Sequence, residues 1–389
     1  MSHAQRKIRV ALLDAPVRYR HYLSILDHDD FSCINGDTLE FSDKNQLKTY
    51  VDVAICSQET EPTTALQIQI LREAGIPTCH VMDGVLEWKN QWENPRSFLS
   101  NHGAPLYEPV LSDVVACLGP WQVELLQMLG ARGICLPIGL PRLDTYKGVA
   151  TNCKKLDITD SPRILVSTAN KLGFTENHRT QMTQGLRNLR EELSGSFAES
   201  EVTWRVNEDL GKAIGIPAKQ IQSLSIPIHS AMVDYNLMLS TPSTILLEGM
   251  LAGLRVCQLN FTRSPLMIQT VWSCEEALDV GRTIRQMLSP SEHHIRYQGM
   301  LRDHQITPPG ESTNRLCALL KAMGRGESIK PETEFIPREK EQLLSHNEAH
   351  FLQAQMNRLV QHTESSVPNR IKRFFRKLFT RKSSNNGGE

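Results

Sequence analysis

The feature that most restricts the fold of this chain is a repeated alternation of short apolar runs with longer amphipathic ones. In the first half, Ile8 to Leu13 leads into a helix-like segment and Val51 to Cys56 is followed by Thr64 to Ala74; Thr78 to Met82 comes next. Val114 to Leu118 is followed by Trp121 to Gly130, and Ile134 to Pro137 closes the series. Strand-length runs alternating with helical segments predict a parallel sheet with helices on both faces. Around Lys147 to Pro162 the pattern lapses into Gly, Thr, Asn, Lys and Asp, and then it resumes. Strands are expected at Arg163 to Ser167, Glu201 to Val206, Tyr235 to Leu239 and Arg255 to Leu259, with helices near His178 to Leu193, Thr244 to Leu251 and Glu275 to Leu288. The expected fold class is α/β, with two Rossmann-like domains whose parallel sheets face a cleft. Their boundaries are residues 1–150 and 160–325, followed by a linker and polar helix-like run over 326–368 and a tail over 369–389. In such a pair of domains, ligands bind outside the carboxyl ends of the strands.

Composition excludes several classes. A chain of 389 residues with 40% hydrophobic residues is long enough for two cored domains. Its apolar runs fall far short of the roughly 20 residues of a spanning helix. Met1 to Lys7 leads straight into a strand-length run with no small-residue cleavage site, so no signal peptide is expected. The 9 cysteines include no C-x-x-C pair. Most lie within apolar runs, which fits reduced, buried thiols and a cytoplasmic location rather than a zinc site or disulfide framework. There is no Gly-x-Gly-x-x-Gly or Walker-type loop, which disfavours a dinucleotide oxidoreductase and a P-loop enzyme.

The stretch Asp234 to Cys257 carries the most chemistry. A strand ends in the polar turn Ser240 to Ser243, and a helix follows. Ser243 and Thr244 offer hydroxyls beside free N–H groups suited to a diphosphate, and Glu248 lies one turn in, where a carboxylate takes the two hydroxyls of a ribose. The alternative is a plain helix cap at Ser243 and a favourable first-turn charge at Glu248.

This stretch resembles the nucleotide-binding motif of GT-B glycosyltransferases and of the non-hydrolysing UDP-N-acetylglucosamine 2-epimerases. Upstream, Cys79-His-Val-Met-Asp-Gly, Asn101-His-Gly-Ala-Pro-Leu, Ser112 to Trp121 and Pro137-Ile-Gly-Leu-Pro-Arg-Leu-Asp144 follow the order of the acceptor domain in that superfamily. The His-Gly-Ala-Pro and Gly-Leu-Pro-Arg-Leu-Asp pieces are similar to capsule and teichoic-acid transferases of the CDP-glycerol glycerophosphotransferase type. The resemblance covers about residues 7 to 325. The epimerase pattern expects His-Glu-Ala-Gly where this chain has His80-Val-Met-Asp-Gly, which counts against epimerisation.

The resemblance implies transfer of a sugar or polyol-phosphate unit from a nucleotide donor, with the nucleotide as substrate and no metal or other cofactor required. A general base is then needed in the first domain. His102 and Asp83, both in Gly-bearing turns after an expected strand, are the candidates, with Asp83 otherwise a turn former and His102 a solvated side chain. His80, inside a strand pattern, reads as a core histidine. Arg205 at a strand end and Lys171 in the turn after the first strand of the second domain are candidates for the donor phosphates, Arg205 otherwise pairing with Glu208 or Asp209.

The zero net charge hides an asymmetry. Residues 365–389 hold seven basic side chains and one acidic, leaving 36 positive and 42 negative on the remainder. Ile371, Phe374, Phe375, Leu378 and Phe379 fall on one helical face, while Arg370, Lys372, Arg373, Arg376 and Lys377 fill the other. Such a helix suits anionic membrane lipids, and the acidic body disfavours nucleic acid. The expectation is a peripheral enzyme on the cytoplasmic face of the inner membrane, acting on a lipid-linked or membrane-held glycan acceptor. Two alternatives are an epimerase-like enzyme, and a catalytically silent GT-B scaffold at the membrane.

Overall fold

The computed structural model describes residues 6–95, 106–107, 110–131, 133–147, 162–198 and 201–330. Six strands form a first sheet: β1 (Ile8–Leu12), β2 (Phe31–Asn35), β3 (Val53–Cys56), β4 (Thr78–Val81), β5 (Val114–Cys117) and β6 (Ile134–Pro137). Their order is β2-β1-β3-β4-β5-β6. Five form a second: β7 (Ile164–Ser167), β8 (Val202–Arg205), β9 (Leu237–Ser240), β10 (Arg255–Leu259) and β11 (Trp272–Cys274), in the order β11-β10-β9-β7-β8. All neighbours within each sheet run parallel. The central strands are short and apolar throughout because helices cover both faces of a parallel sheet. Val53, Ala54 and Ile55, like Ile164, Leu165 and Val166, are fully buried.

Each sheet reverses its winding once, at β1/β3 in the first and at β7/β9 in the second. Residue pairs such as Val10 with Val53, and Ile164 with Leu237, set the register there. The crevice beyond the carboxyl ends of strands at such a reversal is the ligand-binding edge of an open α/β sheet.

The two domains share a core. Met82, Leu86, Leu118 and Leu143 of the first pack with Leu246, Leu247, Met250 and Leu251 of the second. Each such side chain, taken fully out of water, contributes roughly 1.5–3 kcal/mol. Trp121 donates its indole N–H to the Met267 carbonyl at 2.8 Å, and the Thr307 N–H donates to the Leu118 carbonyl at 2.8 Å.

The helix Ser312–Gly324 belongs to the first domain in space, although the sequence pattern groups residues 160–325 together. Its buried face, with Leu316, Leu319, Leu320 and Met323, lies against Ile8, Val10 and Leu12 of β1. Asp144 fixes its start, accepting N–H bonds from Gly310 (2.7 Å), Ser312 (3.0 Å) and Thr313 (2.8 Å) and a hydroxyl bond from Thr313 (2.8 Å). These bonds hold the Asp144 carboxyl below its usual range against the opposing effect of burial. Among the described residues no helix is long and apolar enough to cross a membrane.

Candidate functional site

A cleft of about 970 Å³ opens between the carboxyl edges of the two sheets. Its walls include Arg18, Ser57, Glu59 and Asp83 from the first domain and Lys171 and Arg179 from the second. Ser57 follows β3, Asp83 follows β4 and Lys171 follows β7, so the strand ends deliver these groups. A cavity of this volume holds a ligand as large as a nucleotide sugar.

Asp83 and Lys171, two of the residues singled out in the sequence, thus line one cavity from opposite domains. Asp83 lies 3.4 Å from the Arg18 guanidinium. Nearby is His21, which the sequence reading missed. It ends the short turn Pro16–His21 after β1 and is 4% exposed. Burial pushes its imidazole down to about 4; Asp83 opposes this, while Arg142, Arg20 and Arg18 reinforce it. His21 Nδ1 has no hydrogen-bond partner among the described residues. The only signal available was the basic run Arg18-Tyr-Arg-His immediately after an apolar strand.

His80 is fully buried within β4, with Nδ1 3.7 Å from Cys56 Sγ and 4.0 Å from Glu59. Glu59, also fully buried, accepts the N–H groups of Leu111 (3.0 Å) and Ser112 (3.1 Å), holding the approach to β5. His102 and the tail residues Arg370 to Phe379 lie outside the described residues.

In the second domain, β9 runs into the helix Ile245–Leu251 through Thr241 to Thr244. Thr241 Oγ1 accepts the Ala169 N–H at 2.7 Å, joining the turns that follow β7 and β9. Neither Ser243 nor Thr244 caps the helix with its side chain. Ser243 Oγ is buried and without a partner among the described residues, whereas Thr244 Oγ1 accepts the Val85 N–H at 3.2 Å, across the domain boundary.

Glu248, 5% exposed, also faces the first domain. One carboxylate oxygen is 2.9 Å from Arg142 Nη1, and the other accepts the Tyr146 hydroxyl at 2.8 Å. Burial, and then the Glu248 charge, push the Tyr146 phenol upward, so it stays a hydrogen-bond donor. Arg142 stands in the Gly-Leu-Pro-Arg-Leu-Asp segment singled out in the sequence, and Tyr146 follows two residues beyond its end. Their contact with Glu248 was not legible there, because 106 and 102 residues separate them from it.

Arg205 ends β8 and is turned away from Glu208 and Asp209. Its guanidinium donates to the carbonyls of Ser223 (2.9 Å), Leu224 (3.4 Å) and Ile226 (2.7 Å), pinning the loop 222–226 at the carboxyl edge of the sheet. Among the described residues no group of three or more His, Cys, Asp or Glu side chains is arranged to hold a metal ion.

No protein-family model and no curated protein sequence matches the chain. Solved structures do match. MnaA of S. aureus, in a co-structure with UDP, superposes with a TM-score of 0.55 at 12% identity over 85% of this chain and 100% of that one. The wall teichoic acid polymerase TagF superposes with a TM-score of 0.50 at 9% identity, over 82% of this chain and 89% of that one. A TagF variant soaked with CDPG gives the same TM-score of 0.50. These likenesses establish the fold as GT-B-like, two Rossmann-like domains with facing parallel sheets.

Proposed function

We propose that the protein is a GT-B-type transferase that moves a sugar or polyol-phosphate unit from a nucleotide donor to a membrane-held acceptor. The observation that carries this reading is the shared cavity, with a carboxylate of the first domain, Asp83, and an ammonium of the second, Lys171, on its walls. The acceptor hydroxyl gives its proton to Asp83 while its oxygen bonds to the transferred unit. The bond to the donor's leaving phosphate oxygen breaks with its electron pair, and Lys171 meets the negative charge that develops there. Glu248 takes the ribose hydroxyls, and the turn at Ser243 and Thr244 faces the phosphates. His102 is a second candidate for the base. Arg205 acts on the donor through the loop that it pins.

MnaA of S. aureus is solved with UDP and a TagF variant with CDPG, so a UDP- or CDP-activated donor is the one proposed here. The basic amphipathic tail holds the enzyme at an anionic bilayer, each basic residue near the surface contributing roughly 1 kcal/mol. The product is a cell-surface polysaccharide or glycolipid.

The test is nucleotide release from a panel of UDP- and CDP-activated donors in the presence of membrane vesicles that contain acceptor glycans. Turnover that Asp83→Asn lowers by about 10²–10⁴-fold, with nucleotide affinity kept, supports the reading. Conversion of the donor to its 2-epimer without vesicles would move the protein to the epimerase class. Turnover unchanged in both Asp83→Asn and His102→Ala would overturn the assignment of the base.

A further inference from the structure

The segment Gly139 to Tyr146 contains four polar side chains, of which Thr145 bonds back to the Arg142 carbonyl. Asp144 fixes the helix Ser312–Gly324 and Tyr146 holds one oxygen of Glu248. Arg142 is not accounted for in this way. Among the described residues its guanidinium makes one side-chain hydrogen bond, to the other oxygen of Glu248 at 2.9 Å. A guanidinium carries five N–H donors, so most of its capacity is unused. Its side chain is 28% exposed, against 6% for Glu248, so it stands at the mouth of the contact and Glu248 lies behind it.

The turn Pro141–Tyr146 that carries Arg142 packs against the turn Pro16–His21 after β1, whose Arg18 lies 3.4 Å from Asp83. Arg142 therefore stands on a segment that meets both the carboxylate assigned to the ribose and the turn that pairs with the carboxylate assigned to the acceptor proton. In a nucleotide donor the phosphates lie between the ribose and the reacting carbon. Each carboxylate oxygen can accept a second bond, but Glu248 is buried behind Arg142, so a ribose that reaches Oε1 moves the guanidinium aside while the Tyr146 hydroxyl keeps the other oxygen at 2.8 Å. The displaced guanidinium matches phosphate oxygens in pairs.

We propose that Arg142 is a donor-phosphate ligand which exchanges Glu248 for the phosphates of the nucleotide as the ribose arrives. This rests on Glu248 being the ribose ligand. In the absence of donor, Arg142 neutralises a carboxylate that would otherwise be buried and unpaired, and the same residue then serves the leaving group.

The experiment compares the affinity of a nucleoside diphosphate and of its parent nucleoside, with UDP and uridine, and CDP and cytidine, as the probes. Each pair is titrated calorimetrically into the wild-type chain and into Arg142→Ala, Arg142→Gln and Arg142→Lys. The expected result is that Arg142→Ala weakens the diphosphate by at least about tenfold and changes the nucleoside by less than about threefold, with Arg142→Lys in between. An equal loss for both probes would reduce Arg142 to a support for Glu248, and no loss for either would remove it from the site. If Arg142→Ala melts well below the wild type, the Gln and Lys variants carry the comparison. A wild-type chain that binds neither probe overturns the assignment of Glu248, and this inference with it. A wild-type chain that binds both, with the diphosphate unaffected in all three variants, overturns the role of Arg142 alone.

Discussion

Gly84 of the first domain passes so close to Thr244 of the second that a β-carbon on it would lie 2.5 Å from the threonine hydroxyl. The next residue, Val85, donates its N–H to that hydroxyl at 3.2 Å. The two domains thus meet backbone to side chain at the turn that precedes the helix Ile245–Leu251, and a β-carbon at position 84 would force the Thr244 hydroxyl to turn away from Val85. Gly84→Ala is expected to push this edge of the cleft apart at a cost of about 1–3 kcal/mol. Chemical denaturation measures the loss, and Gly84→Ala with Thr244→Ser should recover little of it, because the serine hydroxyl remains.

Asp144 gathers four hydrogen bonds at the start of the helix Ser312–Gly324. Asp144→Ala should cost about 2–3 kcal/mol and release that helix from β1 before the sheets melt. Limited proteolysis with mass spectrometry would find early cleavage between residues 306 and 330.

How much was legible in the sequence depended on burial. β6 at Ile134–Pro137 and β10 at Arg255–Leu259 match the expected runs residue for residue, and the other expected strands differ by one or two positions at their ends. These strands are apolar because both faces are covered, which leaves a continuous signal in the chain. β2 at Phe31–Asn35 and β11 at Trp272–Cys274 were missed. β11 is only 3 residues long, and β2 carries Ser32 and Asn35 because Phe31 alone of its residues is fully buried. The helices Glu292–Gln305 and Ser312–Gly324 were missed as well, the first because its exposed side carries most of its residues. Of the site, the turn and helix around Ser243 to Glu248 and the strand-end position of Asp83 were legible because each sits at a local change of pattern. The partners of Glu248 were not, since Arg142 and Tyr146 reach it only through the packing of one domain on the other.

Acid should destabilise the protein through His21. Its native imidazole titrates near 4, below the ordinary value of 6.5, so between these values the unfolded chain binds a proton that the native one does not. Stability is fully kept above pH 6.5 and falls as the pH drops toward 4, by at most about 1.4 kcal/mol per pH unit for the single proton. His178, lowered by burial despite Glu93 at 3.1 Å, adds a fall of the same sign. His21→Gln should flatten the melting-temperature profile over this window, whereas an unaltered slope would assign the acid sensitivity elsewhere.

The loop 222–226 depends on Arg205, which bonds three of its carbonyls. Arg205→Lys keeps the charge but loses the planar fork, and hydrogen exchange at residues 222–226 should quicken at least about tenfold while β8 stays protected.

Removal of residues 369–389 should abolish co-sedimentation with anionic vesicles and leave nucleotide affinity as it was. Raising the salt concentration should weaken the full-length chain's attachment, because the screening length falls from about 10 Å at 0.1 M to about 3 Å at 1 M. Attachment that survives the deletion would transfer the membrane role to the body.

The central claim is that a nucleotide binds between the two domains with its ribose on Glu248, behind Arg142 and beside the cleft that Asp83 and Lys171 line. The most direct measurement is a titration of the protein with UDP, GDP, CDP, ADP and CMP, repeated with Glu248→Gln, which keeps the side chain's size and removes its charge. Selective binding of one nucleotide, weakened at least about tenfold in the variant, is the predicted result. Absence of binding at millimolar concentration, or equal affinity in both proteins, would contradict it and bring the membrane scaffold forward.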